Sequence, residues 1–98
     1  MAQPLDDQQI DTGLANLPGW RRDGDALTKT FRCKHFREAF SFLTRLAFEC
    51  EEHNHHADIH NVYHTVTLRL STHDAGDRIT QKDLDLAKAI EHFNWLKQ

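Results

Sequence analysis

Between His35 and Glu52 the apolar residues recur at steps of three and four, while on either side of that segment they recur at steps of two. The first spacing lines one side of a helix and the second lines one face of a strand, so this chain has to bury a helix against strands. In the helical segment Phe36, Ala39, Phe40, Leu43, Leu46, Ala47 and Cys50 share one face. Before it, Leu27, Phe31 and Cys33 share one parity and Thr28, Thr30 and Arg32 the other. Lys29 interrupts the apolar set, and its aliphatic stem is expected to snorkel toward solvent. After it, Val66, Leu68 and Leu70 alternate with Thr65, Thr67, Arg69 and Ser71.

Turn chemistry divides the rest. Asp6 to Leu17 can form a short helix that Pro18 and Gly19 end. Trp20–Arg22 and Ala26–Cys33 flank Asp23-Gly24-Asp25, where glycine can take the positive φ of a tight turn, so they form a hairpin. A further strand is expected over Ile59–His64, and Thr72–Ile79 is a loop. Thr80-Gln81-Lys82-Asp83 has the form of a capping box opening a last helix, whose inward stripe is Leu86, Ala87, Ile90 and Phe93. The order α-β-β-α-β-β-α predicts one α+β domain over residues 1–98, with a four-stranded antiparallel sheet carrying its helices on one face. Phe48, Leu84 and Trp95 lie off these stripes and are expected to meet a second subunit. A 98-residue chain has a limited core, which also favours a homodimer or homotetramer.

Twelve basic and fifteen acidic residues give a net charge of -3 without a basic run, which argues against direct binding of nucleic acid. No segment reads as transmembrane, and the first residues lack a basic start followed by an apolar run. Cys33 and Cys50 form no CxxC pair and read as small buried apolar residues in a reduced, cytoplasmic protein.

Six of the eight histidines, His53, His55, His56, His60, His64 and His73, fall between Glu51 and Asp83. Histidine changes charge near neutral pH, so such a cluster among carboxylates points to proton transfer or metal binding. His55 and His56 precede the third strand and His73 follows the fourth. Antiparallel pairing of those strands brings the three together. For His35, His53, His60, His64 and His92 simple solvation is the expected state.

The run Glu51, His55-His56, Asn61-Val62-Tyr63, Ser71-Thr72-His73 and Asp83 resembles, in order and spacing, the pterin-4a-carbinolamine dehydratases, over at least Phe40 to Phe93. Two positions depart from that pattern. Ala57 stands where a proline usually follows the histidine pair, which predicts a less rigidly aimed His56, and Ile59 stands where an aromatic is expected.

The resemblance implies dehydration of a 4a-hydroxytetrahydropterin to the quinonoid dihydropterin, recycling the cofactor of an aromatic amino acid hydroxylase, which becomes a pathway partner. It implies general acid and base chemistry by histidine, with no metal or redox cofactor. His55 and His73 are then the proton-transfer residues. His56 orients the substrate with Asn54, Ser71, Thr72 and Asp74. Glu51, one helical turn before His55, is expected to accept a hydrogen bond from a ring nitrogen of that histidine. Asp83 reads first as the N3 residue of its capping box. Two rivals stand beside this reading: a metal site drawing on His53, His55, His56 and His73, and a non-catalytic binding or assembly module.

Overall fold

The computed structural model describes residues 2–96. Their order is α1 (Asp7–Leu14), β1 (Arg21–Asp23), β2 (Ala26–Arg32), α2 (Phe36–Glu52), β3 (Asp58–Val62), β4 (Thr65–Leu70), a 3-10 turn at His73–Ala75, and α3 (Gln81–Phe93). The four strands form one antiparallel sheet in the order β1-β2-β4-β3. Each helix starts where the sequence supplies an acceptor for its free amides. Asp6 and Gln9 make a capping box on α1, Thr80 and Asp83 make one on α3, and the His35 ring accepts from the Glu38 amide on α2.

The register aligns Leu27 with Leu70, Lys29 with Leu68 and Ile59, and Phe31 with Val66 and Asn61. Leu27, Phe31, Val66, Leu68 and Leu70 of this face are buried in one cluster with Phe42 and Leu46 of α2 and Leu86 and Ile90 of α3. Thr30, Arg32 and Arg69 on the opposite face are exposed. Thr28 departs from its parity: it is buried, and its hydroxyl donates to the Leu68 carbonyl at 2.8 Å.

Two expectations about helix packing are corrected. The buried stripe of α2 is Ala39, Phe42, Leu46 and Cys50. It is rotated toward Phe42, which the spacing argument left out, and away from Phe36, Phe40 and Ala47, which are exposed. Phe36 and Phe40 meet edge to face at 4.8 Å, whereas Phe42 meets Phe31 at 4.8 Å and Phe93 at 5.6 Å. Leu84 is buried within the chain. It fills the space beside Gly13 of α1, where a Cβ would lie 2.5 Å from Leu84 Cδ1. Phe48 and Trp95 do remain exposed.

Lys29 does not reach solvent. Its Nζ donates to Glu91 Oε2 and to the Pro18 carbonyl, each at 2.8 Å, and Trp20 Nε1 donates to the same Glu91 oxygen at 2.9 Å. The lysine lies on the helix face of the sheet, so the path outward is closed by α3 and the charge is matched where it sits. Strand β3 ends earlier than expected, because Tyr63 takes φ +52° and turns the chain. Asn61 Nδ2 holds that turn by donating to the Tyr63 and Thr65 carbonyls at 3.2 and 3.0 Å.

Both the core and the buried ion pair can be weighed by substitution. Phe42→Ala empties the centre of the core and should cost about 3–5 kcal/mol by denaturant unfolding. Glu91→Ala leaves the buried Lys29 ammonium with the Pro18 carbonyl alone, and a loss of about 3 kcal/mol in the same measurement is expected from removing one partner of a buried pair.

Candidate active site

The end of α2 sets the site. The His55 amide donates to the Cys50 carbonyl and the Asn54 amide to the Glu51 carbonyl, with Asn54 at φ +48°. These two bonds and the left-handed residue form a Schellman end, for which asparagine is a usual substitute for glycine. The chain reverses there, so His55 turns inward and His56 outward. His55 is 8% exposed and His56 is exposed.

Pairing of Asp58 with Arg69 carries the start of β3 beside the end of β4. Thr72 follows β4, and its amide and carbonyl bond to Arg78, closing the 72–78 loop at its neck. This loop holds His73 and Asp74 at the surface, with Ser71 half-buried just before it.

His55 Nε2 lies 2.5 Å from Asp83 Oδ1. Asp83 is 0% exposed. Its Oδ2 accepts from the Thr80 amide and from the Thr72 hydroxyl, each at 2.9 Å. Asp83 therefore does cap α3, and it also binds the buried histidine. Glu51, expected on His55, instead lies 3.0 Å from His56 Nε2, with both side chains largely exposed. The helix stops at Glu52, so helical spacing no longer relates residue 51 to residue 55. Thr72, expected among substrate-binding groups, is buried and engaged beneath the surface.

His73 is 92% exposed in its side chain, and its Nδ1 lies 3.0 Å from Asp77 Oδ1. The hydrogen bond and then the charge of Asp77, with a smaller contribution from Asp74, raise the His73 pKa above its ordinary value. Burial pushes the Cys50 thiol up, opposed by a backbone hydrogen bond from Ala57.

The remaining histidines divide. His53 Nδ1 lies 3.0 Å from the Glu49 carbonyl, His64 is half-buried with its ring against Tyr63, and His60 and His92 are exposed. Among the described residues no three His, Cys, Asp or Glu side chains converge in an arrangement that could hold a metal ion. None of the described helices is long and apolar enough to cross a membrane.

Sequence reasoning undervalued Asp83 as a partner of His55. A separation of 28 positions carries no periodic signal, and the capping box had already given Asp83 a sufficient local role.

Comparison with known proteins gives consistent results. A relative from Opitutus terrae, whose pterin-4-alpha-carbinolamine dehydratase name is provisional, is 50% identical over 91 residues, covering 93% of this chain and 91% of its own. One from Thermosynechococcus vestitus, with the same provisional name, is 46% identical, covering 95% and 97%. The crystal structure of a transcriptional coactivator/pterin dehydratase from Brucella melitensis superposes with a TM-score of 0.85 at 28% identity, covering 91% of this chain and 96% of that one. A pterin dehydratase-like protein described as a RuBisCO assembly factor in the alpha-carboxysome shares the fold alone, with a TM-score of 0.66 at 22% identity, over 81% of this chain and 93% of its own. The family model for pterin 4 alpha carbinolamine dehydratase matches residues 3–93, and this chain belongs to that family.

Proposed function

We propose that the protein dehydrates a 4a-hydroxytetrahydropterin. The observation that carries this reading is a buried histidine, His55, seated on the buried carboxylate of Asp83, at the end of the sheet that also bears His56 and His73. The C4a hydroxyl leaves with an added proton as water, the N5–H bond gives up its proton, and a C4a–N5 double bond forms. The product is the quinonoid dihydropterin. One proton enters and one leaves, so paired histidines suffice.

His55 and His73 are the proton-transfer groups in this scheme. Asp77 favours the charged form of His73. His56, held against Glu51, orients the substrate with the exposed Asn54, His73 and Asp74 and the half-buried Ser71. Returning the spent pterin as a dihydropterin that can be reduced again to the tetrahydropterin cofactor of an aromatic amino acid hydroxylase is the physiological use this chemistry suits, and a cytoplasmic location belongs with that use.

Self-association belongs to the same reading. Phe36, Phe40 and Phe48 leave an apolar outer side on α2, and Ile59, Val62 and Tyr63 are exposed on and beside the edge strand β3. Such surfaces suit a second copy in a homodimer or homotetramer. A partner-binding role is the second reading, and the exposed Phe48 and Trp95 are its contacts.

Carbinolamine dehydration followed spectroscopically in a coupled hydroxylase reaction tests the proposal. His55→Ala and His73→Ala should each lower turnover by about 10²-fold or more, the usual size of a lost general acid or base. Full rates in both variants would end the assignment. Asp77→Asn removes the carboxylate that stabilises charged His73, so the His73 pKa should fall in an NMR titration, moving the protonated-to-neutral transition to lower pH. An unchanged titration midpoint would show that Asp77 does not hold His73.

A further inference from the structure

The Thr72 hydroxyl lies 2.6 Å from Thr80 Oγ1 and 2.9 Å from Asp83 Oδ2. A hydroxyl carries one proton, and a carboxylate can only accept. The Thr72 proton therefore goes to Asp83, and the Thr80 hydroxyl donates to Thr72. Thr80 Oγ1 in turn accepts from the Lys82 amide at 3.2 Å, within the first turn of α3. The run has one direction: Lys82 N–H to Thr80 O–H, Thr80 to Thr72 O–H, Thr72 to Asp83.

Asp83 Oδ2 is filled by this run together with the Thr80 amide. Oδ1 is turned to His55 Nε2 at 2.5 Å, and an acceptor at that distance requires Nε2 to carry the proton. His55 Nδ1 has no partner among the described residues and is not among the buried unpaired nitrogens, so it keeps contact with solvent. Thr72, Thr80 and Asp83 are all buried, which leaves no water to substitute for a lost donor.

We infer that Thr72 is a positioning residue: through this one-way run it fixes the Asp83 carboxylate, holds His55 as the Nε2–H tautomer, and makes Nδ1 the atom through which His55 exchanges protons. The catalytic part rests on the proposed dehydratase reaction; the tautomer does not. Thr72 itself touches no substrate. Its neighbours Ser71 and His73 reach the surface while its own side chain points to the carboxylate.

The test uses the full chain labelled with ¹⁵N, reading histidine ring signals by long-range ¹H–¹⁵N NMR. Neutral His55 in the natural sequence should show protonated Nε2 and unprotonated Nδ1. Thr72→Val keeps the shape and removes the donor. It should give a mixture of His55 tautomers and lower kcat roughly tenfold with KM unchanged, about what one hydrogen bond to a charged group supplies. Thr72→Ser should restore both. A neutral His55 protonated at Nδ1 in the natural sequence overturns the inference, as does a Thr72→Val protein with the original tautomer and kcat. Should Thr72→Val not fold, the spectrum of the unmodified protein still decides the tautomer. A protein with the expected tautomer and its Thr72→Val response, but inert toward the carbinolamine, upholds the positioning and removes the proposed reaction.

Discussion

The carboxylate of Asp83 is the group on which this site depends. It is buried, and a buried charge is tolerated only when its oxygens are supplied with donors. Three groups meet that demand directly: the Thr80 amide at the mouth of α3, the Thr72 hydroxyl after β4, itself supported by the Thr80 hydroxyl, and His55 after α2. The same atoms that start a helix thus close a loop and aim a histidine. The N-terminal end of α3 adds a favourable field for the negative charge.

Strand order makes this convergence possible. Because β3 pairs with β4 at the sheet edge, the chain leaving α2 enters the sheet beside the point where β4 leaves it. The helices cover one face, and α3 returns beneath the junction with its first turn against Thr72. At the opposite end of these strands the tight turn at Tyr63 fixes the register, held by Asn61. A slip of one residue would send the inward side chains of β4 outward and break the alignment with Leu27 and Phe31.

A second buried charge shows the same rule without any evident catalytic use. Lys29 lies on the apolar face of β2, where the Glu91 carboxylate and the Pro18 carbonyl receive its ammonium and the Phe31 ring lies 4.9 Å below it. It ties α3 and the segment before β1 to the sheet. The two networks occupy different ends of α3, and together they fix the helix lengthwise against the strands.

The sequence by itself determined the elements and their order, because hydrophobic period, capping residues and turn residues act within a few positions of one another. It carried the two-layer architecture, the capping box at Thr80 and Asp83, and the histidines that the family register singles out. It misjudged the rotation of α2, where Phe36 and Phe40 are as apolar as Phe42, and only contact with the sheet decides which of them is buried. It also gave Glu51 to His55 by helical spacing, although the helix ends first and the left-handed Asn54 turns the chain in a new direction. The pairings of His55 with Asp83 and Lys29 with Glu91 join residues 28 and 62 positions apart. Tertiary structure alone decided them, because which charges share an interior depends on how the strands and helices are stacked.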